Sequence, residues 1–269
     1  MSHNHDGELE DHDKGLDFDM PRLISRRRVL GILAGGATSA ALAACGASSS
    51  AGGSTSTTTS ASASEIPEET AGPYPGDGSN GPNVLTGSGV VRRDITKSFG
   101  DASGVAEGVP TTVQMTLLDV AGGGKPLAGA AVYLWHCTRD GAYTLYDDST
   151  GDENYLRGVQ ESDSDGKITF TTIYPGCYSG RWPHMHFEVY ESLDAATAAS
   201  TKLKTSQIAL PEDTCKTVYA TSGYDQSVQN LAQTSLDGDM VFGDGYKSQL
   251  ATASGSVKEG ITLALNVGV

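Results

Sequence analysis

The chain has 269 residues and carries 33 acidic against 18 basic side chains, a formal charge of −15. That length fits one large or two small domains. No Lys/Arg cluster follows residue 44, so the basic patches that neutralise phosphates are missing, nucleic-acid binding is disfavoured, and the acidity reads as a solubilising surface.

Residues 1–20 are crowded with Asp, Glu and His, and Ser25-Arg26-Arg27-Arg28-Val29-Leu30 then leads into a weakly apolar run that ends Leu42-Ala43-Ala44-Cys45-Gly46. The run is too short and too rich in Gly and Ala to span a membrane, so 1–44 reads as an export signal. It resembles a twin-arginine signal fused to a lipobox. That resemblance implies an exported protein held at the outer face of the cell membrane by a lipid on Cys45. Residues 45–64 are almost wholly Ser, Thr, Ala and Gly, the composition of a flexible tether, and a folded domain is expected over 65–269.

Within that domain, strands are predicted at 111–120 and 131–136, joined through the glycine-rich turn 121–126. The turn 163–166 opens onto an alternating strand at 167–173. Pro175-Gly176 breaks the pattern before a strand at 184–190. Further strands are expected at 205–210 and 260–267, and short helices at 193–202 and 226–234. Many short strands between Gly, Pro and Asp turns predict an all-β fold, an antiparallel β-sandwich with short helices and long loops. No internal repeat and no phosphate-binding glycine loop is present. The Gly-, Asp- and Ser-rich segment 219–258 reads as a lid, a partner surface or a long excursion.

Four cysteines occur, and with Cys45 assigned to lipid the remainder are Cys137, Cys177 and Cys215. An exported location permits a disulfide, but three is an odd number and spacing does not choose a pair. None is spaced like a zinc knuckle, and all three read as structural.

His3, His5 and His12 lie in the leader, which leaves His136, His184 and His186 for the domain. His184 and His186 flank Met185, so a strand puts both imidazoles on one face, within reach of one ion. Tyr178 and Arg181 stand just upstream. A tyrosine oxygen binds a metal strongly only as phenolate, which a hard trivalent ion such as Fe(III) stabilises best, whereas zinc and ferrous sites use His with carboxylates or thiolates.

The motifs Tyr133-Leu134-Trp135-His136, Asp140-Gly141-Ala142-Tyr143, Leu156-Arg157-Gly158, Tyr174-Pro175-Gly176-Cys177-Tyr178 and Arg181 with His184-Met185-His186-Phe187, preceded by Glu69-Thr70-Ala71-Gly72-Pro73-Tyr74, resemble the intradiol ring-cleavage dioxygenases in the same order. The resemblance implies a transthyretin-like sandwich and one non-haem Fe(III) held by two tyrosines and two histidines. His184, His186 and Tyr178 match three of these ligands, with Tyr178 the one that leaves when substrate binds. Tyr143 matches the fourth by its place after Asp140-Gly141, with Tyr146, Tyr155 and Tyr174 nearby. Arg181 matches an arginine that steadies negative charge on the substrate, and Gln207 a glutamine at the same pocket. The implied reaction cleaves a catechol-type ring with O2 to a muconate-type diacid. Oligomeric habits of the family are not transferable, because a tether stands where many members carry a helical dimerisation domain. A competing reading is a non-catalytic β-sandwich binding module at the cell surface, and another is a hydrolytic zinc enzyme.

Overall fold

The computed structural model describes residues 64–269. The expected export signal, Cys45 and the tether up to residue 63 lie outside the described residues. Among the described residues no helix is long and apolar enough to cross a membrane.

Two sheets make the body. The first is built around β1 (Pro110–Asp119), with β2 (Lys125–Pro126), β5 (Lys167–Ile173), β8 (Thr252–Ser256) and β9 (Gly260–Gly268). The second has the order β4-β3-β6-β7, from β4 (Arg157–Glu161), β3 (Ala131–Trp135), β6 (His184–Tyr190) and β7 (Lys204–Ala209). Three short helices, α1 (Leu193–Thr197), α2 (Glu212–Tyr219) and α3 (Asp225–Leu231), lie in the connections. β1 shows why the sheets pack: its buried residues alternate, so Val113, Met115 and Leu117 all point one way. They meet Val132 and Leu134 of β3, and Met185, Phe187 and Val189 of β6, in one apolar core.

The sandwich reading thus holds, with two refinements. β1 and β9 pair in parallel, from Thr111 opposite Ile261 to Leu118 opposite Gly268, while the other named pairs are antiparallel. β4, β8 and α2 were not legible: β4 has one aliphatic side chain, Val159, and β8 is Thr-Ala-Ser-Gly-Ser, held as a strand by its pairing with β9 rather than by any hydrophobic pattern. The helix expected at 193–202 ends at Thr197, beyond which Ala199 takes φ 49°.

β6 is buried along its whole length, so its second face is covered as well. That outer face carries His184, His186, Glu188 and Tyr190. The strap 65–78 lies over it, fastened by polar side chains. Glu188 accepts hydrogen bonds from Tyr190 (2.7 Å) and from Lys202 (2.6 Å), and the same Lys202 ammonium bonds Asp77 of the strap at 2.5 Å. The buried Arg157 donates to the Tyr74 and Pro75 carbonyls of the strap, and to the carbonyl and hydroxyl of Thr144. One guanidinium therefore ties the strap to the loop that carries Tyr143.

Two glycines let the tyrosine-bearing segments approach. A Cβ on Gly176 would stand 2.3 Å from the Arg139 carbonyl oxygen, and Gly141 has φ 93° with Tyr178 Cβ 3.1 Å from where its own Cβ would be. Gly176→Ala must push 138–142 away from 176–178. We expect it to cost about 2 kcal/mol as an overpacking change. That corresponds to a melting shift of roughly 4–8 °C for a domain of this size, measured by thermal unfolding.

Candidate metal and substrate site

The site sits on the outer face of the four-stranded sheet, not between the sheets. One row crosses that face: Arg157 of β4 is opposite Trp135 of β3, Trp135 is opposite His186 of β6, and His186 is opposite Gln207 of β7. Directly opposed residues share a face, so register alone brings these four side chains together. Trp135 and His186 stack with ring centroids 5.0 Å apart and planes 7° from parallel. His186 Nδ1 has no hydrogen-bond partner, so this stacking and the contact of Nε2 with His184 orient the ring.

His184 is oriented differently. Its Nδ1 lies 2.6 Å from the Trp182 carbonyl oxygen, which can only accept, so Nδ1 carries the proton and Nε2 presents its lone pair. That Nε2 is 3.0 Å from His186 Nε2 and accepts from the Tyr178 hydroxyl at 3.0 Å. Tyr143 completes the group. Its ring lies 5.9 Å from that of Tyr178 and 6.1 Å from that of His186, and its buried hydroxyl has no partner at bonding distance.

The other tyrosines are committed elsewhere. Tyr146 donates to the Asn80 carbonyl and accepts from the Gly76 amide, Tyr174 pairs with the Cys215 sulfur, and Tyr155 packs with Leu156 and Ile173. His136 also stays out: its two ring nitrogens are bound to the Cys137 carbonyl and the Thr172 hydroxyl, and burial pushes its pKa down to about 4. Cys137, Cys177 and Cys215 are buried free thiols, each pushed up to about 12, first by burial. They are structural, and none is an activated nucleophile.

Burial penalises charge on every member of the four. It raises the Tyr143 phenol well above its usual value and Tyr178 to about 12, with the neighbouring phenol adding to the rise at Tyr143. It lowers His184 and His186 well below theirs, helped by the positive charge of Arg181. Left to themselves these are two neutral imidazoles and two neutral phenols in a dry spot. A cation of high charge is what would keep the phenols ionised there, so the donor set fits a hard trivalent metal. Among the described residues no cluster of three or more His, Cys, Asp or Glu is placed to hold a metal, so the carboxylate and thiolate donors of a typical zinc site do not gather anywhere.

Arg181 is 4% exposed, and its charge acts on Tyr143, Tyr178, His184 and His186. Its Nη2 donates to Gln207 Oε1 at 2.7 Å, and Gln207 Nε2 in turn donates to the Thr70 carbonyl of the strap at 2.9 Å. Its Nε donates to Asp239 Oδ2 at 3.0 Å. Asp239 was missed in the sequence, where it is one acid among several in the Gly- and Asp-rich segment 219–258, with nothing to set it apart from Asp237 or Asp244. Phe242 from the same segment lies 6.4 Å from the His184 ring, so this stretch walls the site. A cavity of about 700 Å³ lined by Asp237, Phe242, Tyr246 and Lys247 adjoins it and shares Phe242. Of the four donor residues only Tyr178 is half-buried; the others are buried, which makes Tyr178 the side open to an incoming molecule.

The chain is similar in sequence and in structure to known dioxygenases. A dioxygenase family model matches residues 80–198, which contain Tyr143, Tyr178, Arg181, His184 and His186. Catechol 1,2-dioxygenase 1 of Acinetobacter lwoffii is 33% identical over 98 residues, 29% of this chain and 31% of that protein. Chlorocatechol 1,2-dioxygenase of Rhodococcus opacus is 38% identical over 55 residues, 20% of this chain and 21% of that protein. The chain thus matches about a third or less of these curated relatives' lengths. A solved intradiol ring-cleavage dioxygenase from Tetranychus urticae superposes with TM-score 0.60 at 25% identity, covering 77% of this chain and 94% of that one. With the motifs in order and the sandwich in common, the chain is similar to the intradiol ring-cleavage dioxygenases in sequence and in fold.

Proposed function

We propose that this protein is a non-haem Fe(III) enzyme that opens catechol-type rings with O2 between the two oxygen-bearing carbons, giving muconate-type diacids. The observation that carries the reading is the convergence of Tyr143, Tyr178, His184 and His186 beside a buried arginine. Bound there, Fe(III) would supply the Lewis acidity that ionises a catechol and draws electron density from its ring.

The remaining work falls to side chains. Tyr143, His184 and His186 are the buried holders. Tyr178, the half-buried one, would be a phenolate only while a bound cation kept it so, and a phenolate in these surroundings would readily take a proton from an incoming catechol hydroxyl. Arg181 offers a fixed cation to the negative charge that grows on the ring and its oxygens. Gln207 holds Arg181 on one side and the Thr70 carbonyl on the other. The strap and Phe242 keep water from the charged substrate. For location, the reading is a twin-arginine-exported lipoprotein, anchored through Cys45 at the outer face of the membrane.

Iron-loaded protein is expected to be red-brown, with a visible band that shifts on adding catechol, and to take up oxygen with catechol, protocatechuate or hydroxyquinol. A colourless iron-loaded protein overturns the assignment, and a coloured one inert to all three catechols favours the binding-module reading. Tyr143→Phe should remove most of the visible band and lower kcat by about 100-fold or more, since a direct ligand is lost. Tyr146→Phe should leave both within about threefold. Cys45→Ala should move the protein from the membrane fraction to the soluble fraction of cells that export it, as read by immunoblot.

A further inference from the structure

The carboxylate of Asp239 is wholly buried and receives five donors. Arg181 Nε reaches Oδ2 at 3.0 Å and Arg181 Nη2 reaches Oδ1 at 3.3 Å. The Trp182 amide donates to Oδ2 at 2.7 Å, and the amides of Val241 and Phe242 donate to Oδ1 at 2.8 and 3.1 Å. We propose that Asp239 is a positioning residue for catalysis: it clamps Arg181 edge-on, fixing the plane of the guanidinium that faces the ring-opening site.

An arginine side chain carries about 2 kcal/mol of rotamer freedom and would otherwise sweep a wide arc, so one contact does not set its direction. A two-point carboxylate contact does. Nε and Nη2 are both engaged, Nη2 again by Gln207, and none of these contacts uses Nη1. Phe242 closes the remaining side, its ring 5.9 Å from the guanidinium carbon. The clamp is rigid because the carboxylate is held by three backbone amides, two of them from its own turn. Asp239 meets neither the imidazoles nor the phenols through any of these bonds, so it acts on the reaction through Arg181. The backbone link matters too: Trp182, whose amide Asp239 holds, supplies the carbonyl that fixes the His184 tautomer. One carboxylate thus sets the arginine and, one residue on, the peptide that orients an imidazole.

The proposal rests on the reading of Arg181 as the charge-stabilising group, and a double-mutant cycle separates the two. Asp239→Asn can keep an oxygen toward the Val241 and Phe242 amides while turning an NH2 against Arg181. In iron-loaded enzyme it should lower kcat about 30-fold, with KM, iron content and the visible band little changed. Arg181→Gln with Asp239→Asn should be no slower than Arg181→Gln alone, to within about threefold. Full kcat in Asp239→Asn, or losses that multiply in the double variant, would overturn the proposal. Metal-free protein gives a second reading. Asp239→Asn leaves a buried cation unpaired and should melt below the double variant, whereas additive melting shifts would show that the two side chains are not coupled and sink the clamp. If wild-type enzyme opens no catechol, the proposed activity fails, and the melting cycle still decides whether the clamp exists.

Discussion

Everything at the site depends on the register of β6 between β3 and β7. With Trp135 opposite His186 and His186 opposite Gln207, the even-numbered residues of β6 face the strap and the odd-numbered ones, Met185, Phe187 and Val189, face the core. A slip of one residue would send both imidazoles and Glu188 into the apolar core and turn three hydrophobic side chains to the face that holds Arg157 and Gln207. The hydrophobic demand of the sandwich and the chemical demand of the site are met by the same alternation. Stability therefore polices the site, since a misregistered sheet is costly before any chemistry is attempted.

The second constraint is electrostatic. The outer face of the sheet is dry, yet it holds Arg157, Arg181, Glu188, Asp239 and Gln207, and each is matched by donors or acceptors. Unpartnered buried polar atoms remain at the Tyr143 hydroxyl, His186 Nδ1 and the neighbouring Trp135 Nε1, with Gln249 Oε1 a further one. Buried polar atoms without partners are rare, and the Tyr143 hydroxyl is one that lies among the other donor side chains. The surroundings raise the phenols and depress the imidazoles, so neutral forms prevail until a cation enters.

Much of this was legible in the chain. The stretch from Tyr178 to His186 announced itself because strand alternation put two imidazoles on one face with a phenol and a guanidinium close by. Tyr143 could be named only through the family pattern; what separates it from Tyr146 is three-dimensional, since Tyr146 spends its hydroxyl on Gly76 and Asn80. Asp239 could not be read at all. Its role comes from a long-range contact with Arg181, and local sequence carries no trace of such contacts. β8 and the parallel pairing of β9 escaped for the same reason, their conformation being set by neighbours far away in the chain.

That parallel pairing also governs how the molecule is made. β1 binds β5 on one side and β9 on the other, and β9 is the last strand in chain order. During synthesis β1 can pair with β5 early, but its other edge stays bare until β9 leaves the ribosome. Closing so long a loop is slow, and meanwhile Val113 and Met115 lack the cover of Leu263 and Leu265. The half-made chain is thus an aggregation-prone object with one open sheet edge. An open edge of this kind is a template for pairing with other chains until β9 covers it.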